Sequence, residues 1–251
     1  MERVEIVVDD VRISLLKGRD EDIVYIHCSG GDAELWKYQL EYVGGYAIDL
    51  PNHGKSDCIK INSIDDYAYF VAEVIKKLFD KAVVAGHSLG GAIAQKVYLN
   101  YREIVSGLIL IGTGARLRVL PELLEGLEKN PSETAKMLAE MSFASREFVD
   151  SFARIFEERA KVLRNDLILC DKFDLLEQYR NGSIKIDVPT LIIVGEKDVL
   201  TPVKYSQFFH KHIPNSKLVV ISDAGHMVII EKPEEVNREI KEFIEKIKIK
   251  N

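Results

Sequence analysis

The stretch Ala82-Val83-Val84-Ala85-Gly86-His87-Ser88-Leu89-Gly90-Gly91-Ala92-Ile93-Ala94 decides how this 251-residue chain is read. A short apolar run with β-branched residues ends at Gly86, a serine stands between Gly86 and Gly90, and helix-forming residues resume at once. The spacing predicts strand, tight turn, helix, with Ser88 on the bend. A bend this sharp strains the serine backbone and draws the start of the helix against the end of the strand, so the positions two residues either side require glycine. Gly-x-Ser-x-Gly alone also occurs by chance in ordinary glycine-rich turns, so the flanking strand and helix carry most of the weight.

Outward from this stretch, strands and helices alternate. Residues 2–8 and 11–17 predict an antiparallel hairpin turning at Asp9-Asp10, forming one edge of a sheet. Ile23-Val24-Tyr25-Ile26-His27 predicts a strand that runs into the small-residue turn Cys28-Ser29-Gly30-Gly31 and a helix through Leu35, Trp36 and Leu40. Tyr46 to Leu50 predicts another strand, followed by the loop Pro51-Asn52-His53-Gly54-Lys55-Ser56-Asp57. A helix over about 64–79 follows, with Ser63 as its N-cap. Beyond the Ser88 turn, Leu108 to Gly112 reads as a strand. The alternation indicates an α/β fold with a mostly parallel sheet and helices on both faces.

Between Ala115 and Asp187 the alternation stops. Leu and Phe recur at three- and four-residue spacing among many charges, with breaks at Pro121, Pro131 and Gly182, so an inserted helical cap is expected over residues 115–187. Residues 1–114 and 188–251 then form the core. Pro189 to Val194 and Lys217 to Ile221 predict two more strands, Thr201-Pro202 the cap and first turn of a helix, and Pro233-Glu234-Glu235 the start of a closing helix with a lysine-rich end.

Composition narrows the function. A net charge of −6 offers no electrostatic footprint for nucleic acid, and no apolar run approaches the length of a membrane span. The N-terminal residues read as a strand rather than a signal peptide, so the cytoplasm is the expected location. Cys28, Cys58 and Cys170 are too widely spaced for a disulfide framework or zinc site and are read as free thiols.

A serine hydroxyl needs a base within hydrogen-bond reach and a third group to orient that base. His226, in Asp223-Ala224-Gly225-His226-Met227, follows the last predicted strand, and Asp198 ends Gly195-Glu196-Lys197-Asp198 after the strand before it. In a parallel sheet both loops open on the edge that carries Ser88. Glu196 and Asp223 compete with Asp198; Asp223 is read as a turn residue. His27, His53 and His87 are read as structural, and His210 and His212 as surface residues of a helix without a third ligand at metal spacing. Phe148, Phe152 and Phe156 form a stripe whose first reading is packing against the core and whose second is a substrate-binding wall.

With these residues assembled, the chain resembles the α/β-hydrolase superfamily, in its small capped esterase and lipase-like branch. The resemblance rests on Gly86-His87-Ser88-Leu89-Gly90, His27 with its small-residue turn, Asp49-Leu50-Pro51-Asn52-His53-Gly54-Lys55-Ser56, the Gly195 to Asp198 turn and Gly225-His226, and it spans essentially the whole length. It implies an α/β-hydrolase fold with catalytic Ser88, Asp198 and His226 and an oxyanion hole from the backbone N–H groups of Leu89 and Ser29. It implies no metal or organic cofactor. The expected substrate is a small carboxylic ester with a short to medium apolar acyl group, cleaved through an acyl-enzyme on Ser88. Alternatives are a lactone, a carbon–carbon bond or a lyase reaction on the same triad, or a ligand sensor with slow turnover. Two positions depart from the family pattern: Cys28 and Asn52 stand where glycine is usual. Asn tolerates left-handed geometry; a side chain at Cys28 threatens to narrow the site or tilt the oxyanion donor.

Overall fold

The computed structural model describes the backbone of residues 1–250 and the side chains of residues 1–248. The chain opens with the expected hairpin, β1 (Glu2–Val8) and β2 (Val11–Lys17), paired from Glu2↔Lys17 to Val8↔Val11. Asp9 and Asp10 turn it, both at positive φ. β3 (Ile23–Ile26) leads through a 3-10 turn at Ala33–Trp36 into α1 (Lys37–Tyr42), then β4 (Tyr46–Ile48) into α2 (Ile64–Leu78). β5 (Ala82–His87), α3 (Leu89–Asn100) and β6 (Val105–Ile111) follow. Five helices come next: α4 (Pro121–Lys129), α5 (Pro131–Ser142), α6 (Val149–Glu158), α7 (Ala160–Lys172) and α8 (Leu176–Arg180). β7 (Thr190–Gly195), α9 (Val203–His212), β8 (Ser216–Ile221), α10 (Val228–Glu231) and α11 (Pro233–Lys250) complete the chain. Among the described residues no helix is long and apolar enough to cross a membrane.

One sheet runs in the order β1-β2-β4-β3-β5-β6-β7-β8. β2 pairs antiparallel with β4, and every pair from β4 to β8 is parallel. The period-2 alternation of strands divides the apolar side chains between two cores. Val24, Ile26, Val84, Leu108, Leu110 and Ile192 pack with α2, α3 and α9 on one face; Ile23, Tyr25, Val83, Ala85, Ile109 and Ile193 pack with α1, α10 and α11 on the other. Central strands buried on both faces account for their unbroken apolar sequences.

Local chemistry sets the element ends. Ser63 caps α2 in a reciprocal box, its hydroxyl accepting the Asp66 N–H while the Asp66 carboxylate accepts the Ser63 N–H. Strands β3 and β4 stop short of the predicted His27 and Leu50 because the His27 ring intervenes: its Nε2 accepts the Leu50 N–H at 3.2 Å, replacing a ladder bond. Helix α9 begins one residue after Pro202, not with Thr201 as its cap, because the Thr201 hydroxyl is committed to Asp198. Asn52 adopts φ +73, the left-handed geometry expected of it, and its Oδ1 accepts the Ile59 N–H at 2.9 Å.

Helices α4 to α8 lie between β6 and β7. The chain leaves and returns at one place: Leu175 N–H bonds to the Ala115 carbonyl at 2.7 Å, and Arg116 bridges Asp174. Apolar side chains of this insertion, including Leu138, Phe143, Phe152, Phe156 and Leu163, form a third cluster with Cys28 and Met227, from the loops after β3 and β8. The insertion therefore packs on the carboxyl edge of the sheet.

Candidate active site

Ser88 occupies the sharp turn between β5 and α3 with φ 56° and ψ −115°, a conformation few L-residues adopt. The flanking glycines are required by contact. A Cβ on Gly86 would lie 2.0 Å from the Gly90 carbonyl oxygen, and one on Gly90 would lie 2.2 Å from the Ile26 carbonyl oxygen. The turn is pinned by the Ser88 N–H on the Ile111 carbonyl at 2.9 Å and by the Thr113 hydroxyl on the Ser88 carbonyl at 2.8 Å. Ser88 itself remains half-buried while its neighbours are buried.

Asp198 and His226, distant in sequence, meet with Nδ1 2.9 Å from Oδ2. Asp198 is buried, and burial alone would raise its pKa. The His226 imidazole and the Thr201 hydrogen bonds outweigh burial and hold the carboxyl below its ordinary range. The N–H groups of Leu200 and Thr201 reach Oδ1 at 2.9 and 2.8 Å, and the Thr201 hydroxyl reaches Oδ2 at 2.7 Å. In the sequence Thr201 reads as a helix cap, and nothing in its spacing signals the bond to Asp198. The close approach of the two loops depends on Gly195, where a Cβ would lie 2.2 Å from the Gly225 carbonyl oxygen. The competitors are elsewhere: Asp223 pairs with Lys197 at 2.6 Å on the surface, and Glu196 accepts the Asp223 N–H.

Ser29, Leu89 and the β3 loop come together because Gly90 packs directly on the end of β3. The Leu89 N–H is the first of α3 and so lacks an intrahelical acceptor. Among the described residues the Ser29 N–H donates to no protein acceptor. The peptide carrying it is fixed from its carbonyl side: Cys28 O accepts His27 Nδ1–H at 2.8 Å and Gly31 N–H at 3.0 Å. His27 is neutral, its pKa lowered to about 4 by burial first and the neighbouring His53 second. The Cys28 side chain lies in the third apolar cluster, and burial pushes its thiol up to about 12, so it acts as a small apolar residue.

An alpha/beta hydrolase family model matches residues 23–239. The chain belongs to the alpha/beta hydrolase family. A solved structure described as a thermophilic esterase is 59% identical, covers 98% of both chains and superposes with a TM-score of 0.96. A second, Est816, described as an N-acyl homoserine lactone degrading enzyme, is 25% identical over 96% of this chain and all of its own, with a TM-score of 0.81. The proline iminopeptidase of Saccharolobus solfataricus is 27% identical, covering 92% of this chain and 87% of its own. The protein is an enzyme of the esterase/lipase type within the family.

Further residues tie this hydrolase's insertion to the loop carrying His226. Glu231, at the end of α10, accepts the Gly225 N–H at 2.6 Å through one oxygen, and the N–H groups of Ala144 and Ser145 at 2.8 and 2.9 Å through the other. The Met227 N–H bonds to Ser142 O at 3.0 Å. Of the predicted phenylalanine stripe, Phe152 and Phe156 are buried and Phe148 is partly so; Phe143 joins them, its ring 4.7 Å from Phe152 and 5.4 Å from Phe148. The stripe packs within the cluster that also holds Cys28 and Met227. His210 is exposed on α9 and bonds to Ser216, away from these loops.

Proposed function

We propose that this hydrolase cleaves small carboxylic esters with short to medium apolar acyl groups, through an acyl-enzyme on Ser88. The observation that carries the reading is the Asp198–His226 pair at 2.9 Å, on a loop bonded to His87, the residue before the serine strained onto an elbow. With Nδ1 committed to Asp198, His226 has Nε2 to take the Ser88 proton as the alkoxide attacks the ester carbonyl. The N–H groups of Leu89 and Ser29 receive the oxyanion, and Asp198 stabilises the imidazolium. The tetrahedral intermediate collapses, His226 returns its proton to the leaving alcohol, and water releases the acyl group by the same steps in reverse. The third apolar cluster supplies the surface on which an acyl chain rests.

A lactone is the second reading, favoured by the likeness to the lactone-degrading Est816; ring opening uses the same attack and differs only in that the leaving alcohol stays attached. Initial rates on p-nitrophenyl esters of graded acyl length, beside an N-acyl homoserine lactone and with Ser88→Ala as control, separate the two. Multiple turnovers on esters, abolished in Ser88→Ala, support the first reading. Faster lactone opening transfers the assignment, and a single slow acylation without turnover points to a ligand sensor.

A further inference from the structure

Helix α7 carries Asp166 into the core, where its side chain is fully buried. Four groups from four parts of the chain share that carboxylate or its surroundings. Oδ2 accepts the Gly30 N–H at 2.8 Å and faces His53 Nε2 at 2.9 Å; Oδ1 accepts the Tyr67 hydroxyl at 2.8 Å. Arg159, at the start of α7, reaches the other side of the same glycine: one nitrogen donates to Gly30 O at 3.1 Å and another to the Asp32 carboxylate at 2.6 Å. Gly30 follows Ser29, and it stands at φ +65, where a side chain is strained and a Cβ would lie a tight 3.0 Å from Leu163 of α7. Both peptide groups of Gly30 are thus held by side chains of the insertion.

His53 is the partner that makes a buried carboxylate tolerable. Its Nδ1 lies 2.9 Å from Pro51 O and its Nε2 2.9 Å from Asp166, so against an ionised Asp166 both ring nitrogens face acceptors and both carry a proton. The ring is then an imidazolium paired with Asp166, a buried ion pair whose carboxylate also accepts the Gly30 N–H and the Tyr67 hydroxyl. The groups around it are His27 from the β3 loop, its ring 4.7 Å away, Tyr67 from α2, and Arg159 from the α7 end. Burial and Arg159 work against the charge and Asp166 works for it, and Asp166 prevails, raising the His53 pKa.

Resting on the acyl-transfer reading, we infer that Asp166 is a positioning residue: with His53 as its charged partner it fixes the Ser29–Gly30 peptide, next to the peptide already held through Cys28 O, so that docking of the insertion completes the alignment of the oxyanion donor. The coupling works through geometry alone, since Asp166 touches neither the nucleophile nor the base. An N–H that must meet a developing oxyanion loses most of its effect when it rotates away, and one such donor is worth about 100- to 1000-fold in turnover. Partial misalignment is expected to cost about tenfold or more. Asp166 raises the His53 pKa, and the charged pair is lost as pH rises through the folded-state value. Turnover should therefore show an alkaline limb.

The test is kcat and KM for p-nitrophenyl butyrate, from neutral to alkaline pH, in the wild-type enzyme, Asp166→Asn and His53→Gln. Asp166→Asn is expected to lower kcat about tenfold or more while leaving KM within about twofold, and to abolish the alkaline limb. His53→Gln, which keeps a donor toward Asp166 and a smaller change in packing, is expected to abolish the limb even if Asp166→Asn fails to fold. A folded Asp166→Asn enzyme with unchanged kcat, or an alkaline limb that persists in both variants, overturns the proposal. Labelling by a serine-directed phosphonate keeps the two readings apart. Slow but complete labelling of Ser88 in Asp166→Asn supports the positioning role, whereas no labelling of the wild-type enzyme brings down the acyl-transfer reading and this one with it.

Discussion

His87 Nε2–H donates to the backbone carbonyl of His226 across 2.9 Å, so the residue before the elbow serine holds the loop of the proposed base. Burial lowers the His87 pKa to about 3, with the neighbouring His226 ring adding to the effect. His87 therefore stays neutral wherever the enzyme works, with its proton on the nitrogen that faces His226.

The first prediction follows from that bond. His87→Leu keeps the volume and removes the donor, and kcat should fall about three- to tenfold, the worth of one neutral hydrogen bond. His87→Gln restores an amide donor and should recover most of the loss. Steady-state kinetics on one ester decide it; equal rates for Leu and Gln would remove the orienting role.

The second concerns the triad. Ser88→Ala and His226→Ala should each lower kcat/KM by about 10⁴-fold or more, and the double variant should be little worse, because the residues act as a unit. Intact-mass analysis after phosphonate treatment should show one adduct on the wild-type enzyme and none on Ser88→Ala. An adduct that persists in Ser88→Ala places the nucleophile elsewhere.

The third is a stability profile. His27 and His87 are buried with pKa values lowered to about 4 and about 3, so the unfolded chain takes up protons that the native state refuses. Below the unfolded value of about 6.5, stability should fall by roughly 1.4 kcal/mol per pH unit for each of the two, until the native values are reached. His53 acts in the opposite window: its raised pKa stabilises the fold fully below the unfolded value of about 6.5, and that contribution is lost as pH rises through the folded-state value. Melting temperatures measured from neutral to acid pH should decline, and the decline should be shallower in His87→Gln. An acid limb of equal slope in that variant would assign the proton uptake to other groups.

The fourth separates packing from acyl selectivity. Phe152 is 9% exposed and contacts Phe143 and Phe156, so Phe152→Ala should destabilise the protein by about 3 kcal/mol. If the cluster also receives the acyl chain, the gain in kcat/KM with chain length, up to about fourfold per carbon, should flatten in the same variant while acetate hydrolysis is nearly unchanged. A lowered melting temperature with an unaltered chain-length profile leaves the stripe as packing only.

What was legible in the sequence was local. Gly86 and Gly90 announce an elbow because backbone atoms approach within contact distance at both, and a missing side chain shows in the sequence. Asp198 and His226 are legible because each follows a parallel strand, and such loops open on one edge of the sheet. Thr201 was hidden by a second plausible role as a helix cap. Asp166 was hidden by distance: it sits amid a polar, charge-rich helix, and its partner Gly30 lies 136 residues away. No spacing rule connects the two, and a buried aspartate looks like a solvated one until the fold is known. The same holds for Glu231, whose bonds to Ala144 and Ser145 span the chain between α5 and α10.

The Glu231 bridge bears on how such an enzyme can change. Because one carboxylate serves both the His226 loop and the Ala144-Ser145 backbone, the helical segment is not a cassette that recombination can exchange at β6 and β7. A foreign segment that lacks backbone donors at that place would leave Glu231 half-bonded beside the His226 loop. Successful chimaeras between relatives should therefore carry α10 along with the segment, and lineages that diverge in substrate should change the two regions together.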